Sequence, residues 1–375
     1  MNSGFYLTLM IGPVVPVPVP QEVLDALTSV SVTTNSDSGS GFQLEFTLSN
    51  RSPLQTIFLL SGGAPIPLVR VLIIVTVNGR AEVLMDGVMT NHEIRPGADA
   101  SHSSLSVIGE DKTKVMDYID FTGFPFPGMP PEARVALILA KYSFLGVIPL
   151  VIPSVLIDIP IPTDRIPVQQ GKDLAYVRAL ADEVGYVFYM EPGPEPGVSV
   201  FYWGPEIKVG EPQKALSINM DAATNIESVS CSFNSQGKVL PIVYIQNQQT
   251  HVPFLVPILD ITPLNPPLGL IPPIPLNVEP INESANYSPI RAAVIGLTKA
   301  ARSAEAVTAT GTLNVVRYGQ LLKARRLVGL RGVGEAFDGL YYVKSVTSTI
   351  KRGEFKQNFT LTRNGLISTF SKVPA

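Results

Sequence analysis

The chain has 375 residues, which predicts two or three compact units, each long enough for its own hydrophobic core. Hydrophobic residues make up 45% and charged residues only 16%, below the roughly 25% of typical proteins, so we expect large surfaces that partners cover permanently. The formal net charge of -3 is too balanced for a strong phosphate-attracting field, which excludes nucleic acid as the main ligand.

The N-terminal twenty residues are apolar but lack a basic start, and their prolines would interrupt a signal-peptide helix. We therefore expect no secretion signal. The longest charge-free segments, residues 142–157 and 261–278, also contain prolines. Neither is predicted to cross a membrane as a regular helix.

The first hundred residues predict antiparallel β-structure. Apolar and polar side chains alternate over residues 42–49, the period of a strand with one solvent-facing side. Residues 68–77 are apolar on both faces and run into Asn78-Gly79, a pair that tolerates the positive φ angles of a type I′ turn. We expect a hairpin there and a further strand at residues 104–108.

An α+β segment follows. Apolar residues at helical spacing predict a helix at residues 131–145 and a second at residues 172–184, which Gly185 is placed to end. A hairpin is predicted next, with strands near residues 186–190 and 198–203.

From residue 226 the pattern returns to strands, interrupted by a proline-rich stretch and by one helix at residues 289–302 with Ser288 as its N-cap. The final hairpin turns at Gly353. Like the hairpin near residues 86–109, it consists of a long strand, a glycine turn and a return strand. These two hairpins suggest an internal repeat, although chance similarity explains them equally well.

The C-terminal hairpin carries the most specific pattern. Its sequence GLYYVKSVT at residues 339–347 resembles the end of hub proteins in contractile phage tails, and shorter matches occur in family order along the chain. The family includes late control protein D of phages, the N-terminal half of type VI secretion spike proteins and the hubs of extracellular injection systems. The matching stretches are residues 107–111, 171–174, 180–186, 309–311, 318–320, 339–347, 353–355 and 359–363.

This resemblance implies two related β-barrels with an inserted α+β domain, assembled as a homotrimer. Three copies of two similar barrels would place six equivalent surfaces around an axis and could join a six-fold inner tube to a three-fold central spike. The chain ends at Ala375, before any β-helical needle, so the resemblance implies a separate spike chain, with the inner tube and other baseplate proteins as further partners. It also implies assembly in the bacterial cytoplasm, within a phage tail or injection particle, without a cofactor.

The expected fold is therefore mainly β with an α+β insert. We predict a first β-barrel domain at residues 1–111 and an inserted α+β domain at residues 112–212. The second β-barrel domain, with its proline-rich insertion and one helix, is predicted at residues 213–375.

No residue pattern points to catalysis, and we predict no catalytic, cofactor-binding or metal-ligating residue. The three histidines are scattered, and no G-x-S-x-G elbow occurs. Asp158 with Asp164 and Glu191 with Glu195 are carboxylate pairs, but nothing fixes either pair at a working distance. The single cysteine, Cys231, excludes a disulfide framework and is interpreted as a small core side chain.

Proline-rich segments that also carry Val, Ile and Leu are the better candidates for function. Prolines bar residues 253–280 from a sheet interior, and their apolar side chains, if exposed, would form a patch that soluble monomers seldom tolerate. We favour contacts with a neighbouring subunit or partner over loops folded on their own core. The basic run Lys323, Arg325, Arg326 and Arg331 is interpreted as a solvated strand face or as a contact with an acidic tube or spike surface. The candidate assembly interface comprises Leu264, Leu268, Leu270, Ile271, Ile274, Leu276, Lys323, Arg325 and Arg326.

Two other classes compete with the hub. A secreted β-sandwich binding module would share the strand content, and a tail-associated peptidoglycan hydrolase would need a catalytic dyad. The sequence leaves open whether the particle is a phage tail, a bacteriocin or an injection system, and which loops contact the spike or the tube.

Overall fold

The structure is a computed structural model in which strands dominate. It describes residues 4–36, 39–48, 68–97, 103–154, 163, 166–193, 195–246, 253–257, 264–280, 295–297, 299–301 and 303–370. The strands are β1 Phe5–Gly12, β2 Val17–Pro18, β3 Leu27–Asn35, β4 Gly41–Thr47, β5 Arg70–Val77, β6 Arg80–Arg95, β7 Ser104–Asp111, β8 Val147–Val151, β9 Val187–Pro192, β10 Ser199–Gly204, β11 Gln213–Ser217, β12 Ile226–Phe233, β13 Val239–Gln246, β14 Pro253–Pro257, β15 Gly269–Ile271, β16 Asn277–Pro280, β17 Val307–Asn314, β18 Leu327–Arg331, β19 Gly339–Lys351, β20 Glu354–Arg363 and β21 Leu366–Ser368. The α-helices with defined bounds are α1 Gln21–Ala26, α2 Pro131–Ala140, α3 Asp173–Glu183 and α4 Val315–Tyr318, and short 3-10 helices lie at Lys112–Asp117, Ser143–Leu145 and Asp221–Ala223.

One large sheet runs through both β regions. Its strand order is β12-β17-β20-β19-β3-β4-β7-β6-β5-β1-β2, and β18 and β11 branch from β19. The half built from β1 to β7 is the first lobe, and the half built from β11, β12 and β17 to β20 is the second lobe. Seven residue pairs between β3 and β19, from Asn35 with Ser345 to Ser29 with Lys351, join the lobes.

The first lobe curls around its own hydrophobic core. The predicted alternation in β4 is confirmed, because Phe42, Leu44 and Phe46 are buried in this core while the residues between them face outward. The tip of the β19–β20 hairpin also enters the core, where the rings of Phe5 and Phe355 meet edge to face at 5.5 Å. The second lobe therefore helps to close the first.

The second lobe has a separate core, which includes Tyr341 and Phe359. Its edge strands β11 and β12 are linked through Asn225. The Asn225 side chain accepts a hydrogen bond from the Ser217 amide at 2.9 Å and donates one to the Ala215 carbonyl at 3.0 Å. The Asn225 amide in turn donates to the Ser217 carbonyl at 3.0 Å.

The two lobes share one strand order. β3-β4-β7-β6-β5 of the first lobe corresponds to β12-β17-β20-β19-β18 of the second, with antiparallel neighbours throughout. In both lobes the first of these strands has one unpaired bulge residue, Thr28 or Glu227, and the fourth has another, Thr90 or Lys344. Because bulges are specific features, their shared positions indicate an internal duplication and not a chance likeness of hairpins.

The insert between the lobes has its own sheet, with strand order β8-β10-β9, packed against α2 and α3. Its core contains the fully buried Trp203. Leu68 and Val88 of the first lobe belong to the same hydrophobic cluster. The insert is therefore docked on the first lobe.

Most predicted elements are confirmed. Asn78 and Gly79 form the β5–β6 turn with φ angles of 49° and 79°. α2 ends at Ala140, earlier than predicted, because the chain then tightens into the 3-10 turn that Gly146 terminates at φ 69°. Of the helix predicted at residues 289–302, residues 295–297 and 299–301 are helical, whereas its proposed N-cap Ser288 lies outside the described residues.

These observations confirm a mainly β fold with an α+β insert. The boundaries after residues 111 and 212 stay a proposal. Their support is that three separate hydrophobic clusters centre on the first lobe, the insert and the second lobe.

Candidate assembly surface

Most of the predicted interface lies in residues 264–280, here called the apolar arm. Prolines limit its regular structure to two short strands, β15 and β16. Leu270 and Ile271 are 61% and 51% exposed, and Ile274 and Leu276 are 74% and 64% exposed. Leu264 is exposed as well, at 38%. Five of the six predicted apolar residues therefore face solvent in the single chain.

The prediction is corrected for Leu268, which is buried against Leu327, Leu340 and Tyr342 of the second lobe. Leu268 anchors the arm and is closed to a partner. The Asn364 side chain reinforces this anchor by accepting hydrogen bonds from the amides of Leu268 and the next residue, at 2.9 and 3.0 Å.

The arm leaves the anchor across a close backbone contact. β15 pairs with β21, and a Cβ atom added to Gly269 would lie 2.3 Å from the carbonyl oxygen of Gly365. Only glycine fits at this crossing. The arm is therefore fixed at its base and presents its apolar side chains beyond it.

The basic run is corrected for three of its four residues, because Lys323, Arg325 and Arg326 lie in a loop before β18, whereas Arg331 ends that strand. Lys323 pairs with Glu82 of the first lobe at 2.7 Å, and Arg326 pairs with Glu191 of the insert at 3.4 Å. These contacts connect the second lobe with both other parts of the chain.

Arg325 points inward from the same loop. Its guanidinium lies 4.0 Å from the ring centre of Tyr189 in the insert and donates a hydrogen bond to the carbonyl of Asn35 in the first lobe. Burial lowers the pKa of Arg325 below its ordinary value. A side chain placed in this way holds the parts of one subunit together, so a solvated face is the wrong interpretation for it.

A buried ion triad between the first lobe and the insert was not predicted. Asp86 accepts hydrogen bonds from Arg70 at 2.8 and 2.7 Å, and the Lys112 ammonium lies 2.8 Å from the same carboxylate. All three side chains are at most 4% exposed. Burial is the main cause that lowers the pKa of Lys112 to about 8, against the opposing effect of the Asp86 charge.

The insert completes the triad. Ser199 donates to Asp86 at 3.2 Å, the Gly197 carbonyl accepts from Arg70 at 2.6 Å, and the Leu145 carbonyl accepts from Lys112 at 3.0 Å. The triad therefore acts as a polar clamp that fixes the insert on the first lobe.

The described residues were predicted to hold no metal ion and no working pair of carboxylates. Within them, no group of three or more His, Cys, Asp and Glu side chains is placed to hold a metal ion. Asp158 and Asp164 lie outside the described residues, and Glu191 is engaged in its ion pair with Arg326. Among the described helices, all are too short or too polar to span a bilayer.

Comparison with known proteins finds likeness at the level of structure. No protein-family model matches the sequence. No curated protein matches it either. The chain superimposes on a tail protein from Neisseria meningitidis MC58 with a TM-score of 0.59 and 14% identity, covering 97% of this chain and 98% of the other.

Two further structures are similar over nearly the whole chain. The 43 kDa tail protein of prophage MuSo2 from Shewanella oneidensis gives a TM-score of 0.60 at 16% identity, with 96% of this chain and 98% of the other covered. A chain of the PdpA–VgrG complex from Francisella gives 0.62 at 9% identity, with 99% of this chain and 60% of that one covered. The chain therefore has the fold of phage tail proteins, which confirms the resemblance at the level of fold.

Proposed function

We propose that this chain, which has the fold of phage tail proteins, is a structural, non-catalytic hub subunit in the baseplate of a contractile tail or injection particle. In this role a homotrimer joins a six-fold inner tube to a three-fold central spike. The observation that carries the proposal is the internal duplication, because three chains with two equivalent lobes supply six similar surfaces around one axis.

The two ends of the duplicated unit differ in a way that supports an adaptor. At one end, the connection between β3 and β4 spans residues 36–40, whereas the equivalent connection between β12 and β17 spans residues 234–306. At the other end, both connections are short: residues 96–103 join β6 to β7, and residues 352–353 join β19 to β20. The first end therefore differs between the two lobes, so that its long connection occurs once per chain and three times in a trimer, which suits a three-fold partner. The second end has a short connection in both lobes, so that it occurs six times in a trimer and suits a six-fold partner.

The apolar arm belongs to the end that repeats once per chain, because it lies within residues 234–306. Its exposed side chains would leave water on contact with the spike or a neighbouring subunit, which is a favourable contribution to assembly. We therefore propose the arm as an assembly contact on the spike side of the ring.

Light scattering on the purified protein tests the oligomeric state. One chain has a mass of 40.3 kDa, so a trimer should scatter as about 121 kDa. Electron microscopy of the same sample should show rings with six similar lobes. A stable, soluble monomer at micromolar concentration would contradict the proposal.

A further inference from the structure

The insert carries a second exposed apolar surface. Residues 118–126, here called the insert loop, follow the 3-10 helix after β7, and Tyr118 and Phe124 are 50% and 49% exposed. The one charged residue of the loop is Asp120, whose carboxylate accepts hydrogen bonds from the Thr122 amide and hydroxyl at 2.8 and 2.6 Å. The loop therefore presents aromatic side chains while its own charge is engaged internally.

Backbone hydrogen bonds hold the insert loop in place. The Gly123 amide donates to the Gln169 carbonyl at 2.9 Å, and the Gln169 and Phe126 amides donate to the Phe124 and Pro167 carbonyls, both at 2.8 Å. The buried ring of Phe126 meets the ring of Phe124 edge to face at 5.2 Å. The exposed surface is thus ordered before a partner arrives, which lowers the entropy lost on binding.

The insert loop and the apolar arm lie at the same end of the lobes. Asp111, the last residue of β7, donates its amide to the carbonyl of Ser40 in the β3–β4 connection at 2.9 Å, and the Ser40 amide donates to the Asp111 carboxylate at 2.7 Å. The 3-10 helix and the insert loop follow directly. The arm belongs to the equivalent β12–β17 connection of the second lobe, so both surfaces face partners at one end of the subunit.

The arm has a composition that aromatic surfaces recognise. Residues 264–278 contain no charged side chain, and Pro272, Pro273 and Pro275 follow one another closely. Proline restricts φ to about −65°, which favours the extended polyproline II conformation. Proline-rich segments of this kind bind surfaces lined by aromatic rings, because the preformed helix loses little entropy on docking.

The arm also has the reach to meet another copy. It is fixed at Gly269, and Leu276 lies seven residues further along the chain, so an extended arm spans about 20 Å at roughly 3.1 Å per residue. Five paired strands, the width of one lobe, span about 19 Å at a spacing of roughly 4.8 Å. The arm of one lobe can therefore extend across a lobe that stands beside it.

We propose that the apolar arm of one copy binds the insert loop of a neighbouring copy, with residues 271–276 packed against Tyr118 and Phe124. This inference rests on the proposed trimer and names the partner of the arm. Both surfaces stay exposed in the single chain, so the chain does not cover its own loop with its own arm. Each chain supplies one arm and one loop, and three copies can satisfy all of them in a closed ring.

Single-cysteine variants that are coexpressed provide the test. Every variant carries Cys231→Ser, which removes the native thiol. One chain then carries Phe124→Cys and the other Ile274→Cys, at side chains that are 49% and 74% exposed. Treatment with a short bismaleimide should give a covalent product of twice the chain mass on a denaturing gel. Each variant expressed alone should give no such product.

Two further variants isolate the contact. Ile119→Cys, on the insert loop and 60% exposed, should also crosslink to Ile274→Cys. Tyr6→Cys, on β1 of the first lobe and 64% exposed, is the matched control and should not. Circular dichroism of each variant checks that the fold is retained.

The outcomes separate this inference from the proposed function. A crosslink that requires both the arm cysteine and an insert-loop cysteine supports the contact. Coexpressed variants that scatter light as a trimer but stay uncrosslinked overturn the contact and leave the proposed function standing. Equal crosslinking of Tyr6→Cys also overturns the contact, because the product would then not depend on the insert loop. Protein that scatters as a monomer overturns the proposed function.

Discussion

Replacing Asp86 with asparagine should detach the insert from the first lobe. The substitution keeps the size of the side chain but removes the only negative charge of the triad. Arg70 would then remain as a buried cation without its partner, at 4% exposure, and Lys112 would lose the charge that opposes the lowering of its pKa by burial. A buried charge that loses its partner costs roughly 3 to 5 kcal/mol, a large share of a typical folding free energy of about 5 to 15 kcal/mol.

Lys112→Met is the matched control. Removing the Lys112 ammonium leaves Arg70 and Asp86 paired through two hydrogen bonds. Burial already disfavours the charged form of this lysine, as its pKa of about 8 indicates. Replacing a buried charged group of this kind by an apolar side chain is often close to neutral, so we expect a loss below about 1.5 kcal/mol.

The assay uses the single tryptophan of the chain, Trp203, which is fully buried in the insert. Urea titration followed by its fluorescence reports the insert, while far-ultraviolet circular dichroism reports mainly the lobes. In the Asp86→Asn variant the fluorescence transition should move to lower urea. The reasoning is refuted if this variant loses less than about 1 kcal/mol, or if Lys112→Met is equally damaging.

Two further predictions concern the arm and alkaline pH. The double substitution Leu270→Asp with Ile271→Asp should prevent the particle assembly seen by electron microscopy and leave the circular dichroism of the subunit unchanged. Leu268→Asp should instead unfold the subunit, because the Leu268 side chain is buried. Normal assembly of the double variant would exclude the arm as a contact. Burial raises the pKa of Tyr189 and of Tyr318 to about 12, so the folded state resists their ionisation. The stability that this contributes should be complete below pH 10 and fall as pH rises through 12, by roughly 3 kcal/mol for Tyr318, whose side chain is buried. Urea titrations that show constant stability through that window would contradict this.

The β elements could be predicted because their signals are local. Alternation in β4 and the Asn78-Gly79 turn depend on residues next to each other in sequence. The duplication could only be suggested, because the bulges at Thr28 and Thr90 arise from pairing between strands and leave no mark in the sequence.

The candidate surface was predicted in part for the same reason. Prolines among apolar residues identified the arm, but the burial of Leu268 depends on Leu340 and Asn364, which lie far away in sequence. The inward position of Arg325 likewise depends on Tyr189 in the insert.

The sequence does carry a signal for the ion triad. Arg70 interrupts a run of apolar residues in a strand that is buried on both faces. A charge at such a position must find a partner, because an unpaired buried charge is too costly. Its partner Asp86 could not be identified before the β5–β6 pairing was known.

The junction of β3 with β19 gives the subunit a mechanical property. Domains hinge where a few loop residues absorb the change in backbone angles. Here seven residue pairs bridge the lobes, and their hydrogen bonds would have to break together before one lobe could tilt against the other. In the proposed ring, a thrust received from the tube would therefore pass to the tip with little of it lost to bending inside each subunit.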